Sequence, residues 1–199
     1  MKHAFRMLVA CSAIFLSACS TTTLVSVTPT IEPTQVPDPQ SGYIAGTFSA
    51  PANAGRLAFV LVNAETGSEK VLPVGEIHYL HVDQKKSFRM IPVPPGTYRL
   101  AYWMFYDELN RPFPPREFPA GTLSTTLFDV PAGGIAFIGN FAMTSKDGND
   151  FLVGMRSRRF EQFAISLADA RKSLATVHPG FLKLIFSCPP CTVDGALAR

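Results

Sequence analysis

From Gly42 onward the chain is built of short runs in which large apolar side chains alternate with smaller or polar ones. YIAGTFS at 43–49, LAFVLVN at 57–63, SFRMIPV at 87–93, TYRLAYWMFYD at 97–107, TLSTTLFDV at 122–130 and IAFIGNFAMTS at 135–145 are rich in β-branched and aromatic residues, with Gly, Pro, Asn or Asp between them. That is the pattern of strands joined by turns. Strands this short and this closely spaced predict a mainly β fold, an antiparallel β-sandwich. Along 97–107, alternation places Tyr98, Leu100, Tyr102, Met104 and Tyr106 on the face that fills the core. Trp103 and Phe105 fall on the other face, where they lie under the helix or mark a groove, with burial as core the favoured reading.

Past Asp150 the period changes. FLVGMRSRRFEQFAIS at 151–166 reads as one or two further strands. Ser166 then stands as an N-cap with Asp169 three residues on, and Leu167, Ala170, Leu174 and Val177 recur at helical spacing until His178-Pro179-Gly180 stops them. One amphipathic helix over about 167–177 is expected in the C-terminal half, packed on a sheet face or edge. FLKLIFS at 181–187 reads as a closing strand, which ends the domain at 187.

The first 41 residues have a different texture. Lys2, His3 and Arg6 precede the apolar run Met7–Leu16, which at about half the roughly 20 residues needed to span a bilayer has the proportions of a secretory signal. It ends in Leu16-Ser17-Ala18-Cys19. This ending resembles the lipobox of bacterial lipoproteins, a leucine and two small residues before a cysteine. The resemblance covers residues 1–19 and implies cleavage before Cys19, acylation of its sulfur, and a membrane anchor of two or three chains, enough for stable attachment. It places the protein in a bacterial cell envelope. Ser20 stands where an aspartate commonly retains such proteins in the inner membrane, so the outer membrane is favoured. Residues 19–41, STTTLVSVTPTIEPTQVPDPQS after the cysteine, are Thr- and Pro-rich and read as a flexible tether behind the lipid.

Two turns share a grammar: Val93-Pro94-Pro95-Gly96 and Val130-Pro131-Ala132-Gly133-Gly134 each close one run and open the next. Proline presets the first corner and glycine takes the positive φ that other residues resist. PPGTYRL at 94–100 resembles the turn and strand of transthyretin-like, carboxypeptidase-regulatory-type β-sandwich modules. VPAGGIAFIGNF is similar to a strand of small bacterial lipoproteins carrying such a sandwich. This resemblance spans about 42–145 and implies a fold, with no activity attached.

Charge narrows the partners. The chain of 199 residues carries a formal +3, and loss of Lys2 and Arg6 with residues 1–18 leaves about +1, too little cationic excess for nucleic acid. Of four cysteines, Cys11 leaves with the signal and Cys19 is acylated. Cys188 and Cys191 remain, in the tail 188–199, and an exported pair reads most simply as a disulfide. As C-x-x-C they also offer thiol redox or half a metal ligand set, which His178 would supplement, but they lie too near the chain end for a thioredoxin-type unit, and Thr192 stands where haem attachment needs a histidine.

Three other clusters carry possible chemistry. His81 and Asp83 share a strand face whereas His78 and His81 do not, so a hydrogen-bonded pair is expected before a metal site. In the loop Asp107–Glu117, the side chains Asp107, Glu108, Arg111, Phe113 and Arg116, stiffened by three prolines, form the best candidate for partner contact. A hydrolase on cell-wall or sugar substrates would need His81, Asp83, Asp107 and Glu108 joined in one pocket. Arg156, Arg158 and Arg159 suit either an edge strand guarded by charge or contact with anionic lipid. The sequence thus predicts an envelope lipoprotein with a non-catalytic binding or structural role, no cofactor and no metal. Its partners would be the membrane, through Cys19, and an envelope protein or glycan; thiol redox or metal handling is the alternative.

Overall fold

The structure, a computed structural model, describes residues 24–50, 56–75, 85–119, 126–145, 158–193 and 196–197. In chain order its strands are β1 (Gly42–Ala50), β2 (Arg56–Asn63), β3 (Glu69–Gly75), β4 (Lys85–Val93), β5 (Gly96–Tyr106), β6 (Phe128–Val130), β7 (Gly134–Ser145), β8 (Arg158–Phe163) and β9 (Ile165–Ser166). The helix α1 (Leu167–Val177) and a 3-10 turn (Pro179–Phe181) precede β10 (Ile185–Ser187), β11 (Cys191–Val193) and β12 (Ala196–Leu197). The chain is mainly β, with one α-helix among the described residues. Strand β3 escapes the sequence pattern because Pro73 interrupts EKVLPVG; it is an edge strand, where a missing N–H is tolerated. Only 185–187 of the expected closing strand pairs, since Phe181 is drawn into the 3-10 turn and fully buried.

Strands β3, β2, β5 and β6 form one antiparallel sheet in that order. A second sheet runs β4, β1, β7, and the far edge of β7 is shared between β10 at its start and β8 at its end. This second sheet is mixed, whereas a purely antiparallel arrangement is expected from the sequence: β1 and β7 are parallel. The two V-P turns explain it. Pro94-Pro95 carries the chain from β4 in one sheet to β5 in the other, and Pro131–Gly133 carries it back from β6 to β7, which therefore enters beside β1 in the same direction. At the first crossing the Tyr98 hydroxyl donates to the Pro94 carbonyl (2.8 Å). Gly96 has φ +155°, and a Cβ there would lie 2.7 Å from the Asn63 side chain.

Both sheets contribute one face to a single hydrophobic core. Its centre is Phe59 of β2, whose ring meets Phe48, Phe141 and Phe160 of the second sheet edge to face at centroid distances of 5.0, 5.0 and 4.7 Å. Two bulges decide which side chains reach this core. Ala101 has no partner between Tyr102, opposite Val60, and Leu100, opposite Leu61. One extra residue inverts the alternation. Tyr98 and Leu100 therefore share the core with Trp103 and Phe105, while Tyr102, Met104 and Tyr106 turn to the outer face. The assignment of Tyr102, Met104 and Tyr106 to the core is corrected by this bulge. In β7 the same inversion occurs at Gly139 (φ +126°), so Ala136 and Ile138 and then Phe141 and Met143 all point inward.

The outer faces are covered too. Helix α1 lays Ala170 and Leu174 over Tyr43, Ala45, Ile135 and Phe137 of the second sheet, joined by Phe181 and Cys191. It starts where expected: Ser166 Oγ accepts from the Asp169 N–H (3.0 Å) and donates to its carboxylate (2.7 Å). Over the first sheet lies the segment expected to be a free tether. Val25 and Val27 pack on Ala58, Val60, Val71, Met104 and Tyr106, and Ile31 crosses to the second sheet and is buried. Backbone N–H groups of Val25, Thr28 and Ile31 donate to Asn110, Val71 and Met90 at 2.8, 3.0 and 2.8 Å. The tether reading to Ser41 is thus corrected from Leu24 onward. A few apolar residues suffice there because the strands already present a row of matching apolar side chains.

Candidate functional site

The registers Arg56 with Tyr106, Leu57 with Gly75, Ala50 with Lys85, and Ser145 with Arg158 bring the ends of β1, β3, β5 and β7 and the starts of β2, β4 and β8 to one pole. The 107–117 segment stands there. It is a returning arm and not an open loop: Trp103 and Arg116 exchange two backbone hydrogen bonds (2.9 and 2.8 Å), Phe113 N–H reaches the Phe105 carbonyl (2.9 Å), and Tyr106 bridges Pro112. At its tip the Asp107 carboxylate accepts from the N–H groups of Leu109 (2.9 Å) and Arg111 (2.8 Å) and from Arg111 Nε (2.6 Å). These bonds, the Arg111 N–H first, hold the Asp107 carboxyl below the usual carboxylate range. Asn110 takes φ +58° to close the turn. Glu108 is exposed, and its carbonyl accepts from Arg56 (3.4 Å).

Of the five residues expected to touch a partner, Asp107 and Arg111 are spent on the turn and Arg116 on the core rim. The Arg116 guanidinium sits 5.1 Å from the Trp103 ring centroid and 5.3 Å from that of Phe105. It also donates to the Arg158 carbonyl (3.3 Å). This contact joins two clusters that the sequence treats separately, the 107–117 segment and the basic run. Burial lowers the pKa of both arginines, and the Arg116 charge lowers that of Arg158 further. Arg158 faces inward at the start of β8, and exposed Arg159 pairs with Glu161 on its own strand (2.7 Å). β8 pairs with β7 alone among the described residues, an edge of the kind charge protects. Arg156 lies outside the described residues. Phe113 and Leu109 remain exposed at 47% and 65%.

Cys188 and Cys191 form a disulfide across a turn closed by Cys191 N–H on the Cys188 carbonyl (3.1 Å). The turn opens the short strand β11, so neither sulfur lies at a helix N-terminus, and Cys191 is packed in the core beneath α1. His178 caps α1 at its C-terminal end, 2% exposed, its ring beside Phe88 and Phe181 at 5.6 and 5.8 Å. Burial lowers its pKa, against the opposing pull of a hydrogen bond to the Glu32 backbone and the Glu32 charge. No three His, Cys, Asp or Glu residues are grouped to hold a metal among the described residues. His78, His81 and Asp83 lie outside them, and Cys19 does too.

Sequence reading missed a cleft of about 450 Å³ beside α1, lined by Asn140, Ser166, Asp169, Lys172, Thr176 and Thr192 among others. No local pattern joins them, because Asn140 follows the β7 bulge, Ser166 is the helix cap, Asp169, Lys172 and Thr176 lie on α1 and Thr192 on β11, and only the fold brings these elements together. Their hydroxyls already serve the backbone: Ser166 caps the helix, Thr176 donates to the Lys172 carbonyl and Ser173 to that of Asp169. No helix among the described residues is long and apolar enough to cross a membrane. No protein-family model and no curated protein matches the chain. A solved leucine-rich repeat protein from Bacteroides thetaiotaomicron is similar over 55% of this chain and 14% of its own, at 18% identity and a TM-score of 0.34, too slight a likeness to carry an argument.

Proposed function

We propose that this protein is a lipid-anchored lipoprotein of the bacterial cell envelope, favouring the outer membrane, with a non-catalytic binding or structural role and a transthyretin-type sandwich as its domain. The Leu16-Ser17-Ala18-Cys19 motif, after a basic start and a short apolar run, carries this reading. The fold supports it in one further respect. Among the described residues, Asp107 is committed to three turn donors, Arg116 to aromatic faces and Arg159 to Glu161. The shared core of the two sheets and the Pro94–Leu100 turn support the sandwich type.

The test is intact mass and detergent partitioning of the native protein. Acyl mass at Cys19 and recovery in the detergent phase are expected, with Cys19→Ala moving the protein to the aqueous phase. A first residue without acyl mass overturns the reading. The thiol-redox alternative requires a reactive pair, and trapping should find Cys188 and Cys191 fully oxidised with no mixed disulfide to another protein.

A further inference from the structure

The N-terminal strap ties the point where the anchor enters the domain to one feature of the fold. Val25 N–H is bonded to the Asn110 carbonyl (2.8 Å), so Leu24 stands at the tip of the 107–111 turn. Five peptide steps separate Cys19 from Leu24. At no more than about 3.6 Å each they reach roughly 18 Å. A longer reach would require stripping Val25, Val27 and Ile31 from the sheets and breaking the three strap hydrogen bonds.

The pole so tethered is apolar at its tip, with two arginines and two acids beside it. Leu24, Leu109 and Phe113 are 59%, 65% and 47% exposed and belong to none of the core clusters. Arg56 and Arg111 stand beside them, the Asp107 charge is matched by Arg111, and Glu108 is the acid of this turn with no ion pair among the described residues. Apolar side chains flanked by arginine suit the boundary between acyl chains and phosphate headgroups. We propose that Leu24, Leu109 and Phe113 rest in the surface of the membrane that holds the acylated Cys19, which makes the 107–113 turn a lipid contact and seats the domain on the bilayer. This rests on the lipidation proposed above.

The experiment uses the full-length acylated protein in phosphatidylcholine–phosphatidylglycerol vesicles with brominated acyl chains. A bimane label is placed at Leu109→Cys, Phe113→Cys or, at the opposite pole in the β2–β3 turn, Glu65→Cys; the native thiols are in the thioether and the disulfide. Brominated lipid should quench the labels at 109 and 113 and leave that at 65 unchanged. Equal fluorescence at all three sites overturns the proposal, as do labels at 109 and 113 that are shielded from water but unquenched, which would signify a protein occupant. Acyl mass at Cys19 is measured on the same samples. Its presence without quenching defeats this inference alone, and its absence defeats the lipidation reading with it.

Discussion

Replacing Phe59 tests whether the two sheets share one core. Its ring is fully buried and meets Phe48, Phe141 and Phe160 from the second sheet and Phe118 from the segment after the returning arm, all at 4.7–5.0 Å. Phe59→Ala should cost about 3–5 kcal/mol, the transfer term plus a cavity that rigid neighbouring rings close only in part. That is a large share of the roughly 5–15 kcal/mol of a domain, so the more informative variants are Phe59→Leu and Phe141→Leu, singly and together. Each keeps most of the apolar volume and removes one ring of an edge-to-face pair worth about 0.5–1.5 kcal/mol. Urea unfolding of the four proteins gives the coupling, provided the dependence on denaturant is the same in all. A coupling of about 0.5–1.5 kcal/mol is expected across the sheets. Additivity within about 0.3 kcal/mol would mean the rings do not touch and would refute the layered core.

Two further outcomes test particular positions. Gly139→Ala should cost about 1–3 kcal/mol in strain at φ +126°, and its Cβ would displace the Gln162 amide that donates to Ile138 (3.1 Å), whereas Gly67→Ala, at φ +69° in open space, should cost less by urea unfolding. Equal costs would remove the bulge argument. His178 is held below the ordinary imidazole pKa, so the unfolded chain takes up a proton that the folded one refuses. Stability should be full above about pH 6.5 and fall as pH drops toward the folded pKa, by at most about 1.4 kcal/mol per unit, and His178→Gln should abolish that component of the urea midpoint's pH dependence.

Strands β1, β2, β4, β5 and β7, the helix and its serine cap were legible because each is a local pattern. Runs such as LAFVLVN alternate within one strand, and Ser166 and Asp169 need only each other. What was not legible depended on distant partners. The parity of β5 changes at Ala101, a residue with nothing unusual about it, and the bulge exists because β2 opposite supplies one residue fewer. The period-2 argument therefore held as far as Leu100 and then assigned every later side chain to the wrong face. The arm at 107–117 looked like a free loop because its prolines forbid a regular strand, yet the backbone groups of Trp103, Phe105 and Asp107 offer it hydrogen-bond partners. The Thr- and Pro-rich strap failed for the same reason: composition reports what a segment can bury by itself, and Val25, Val27 and Ile31 bury themselves on others.

The covering of both outer faces limits where this domain can meet anything else. A sheet with one face in the core needs the other either polar or covered. Here both are apolar, and both are covered from within the chain, one by α1 with the segment after it and one by the N-terminal strap. Removing α1 would expose Tyr43, Ala45, Ile135 and Phe137; removing the strap would expose Val60, Met104 and Tyr106. Neither surface is therefore available to a partner unless part of the domain is first peeled away. A contact that leaves the fold intact must use an edge or a pole, and the pole to which the strap delivers the chain is the one where Leu24, Leu109 and Phe113 were left uncovered.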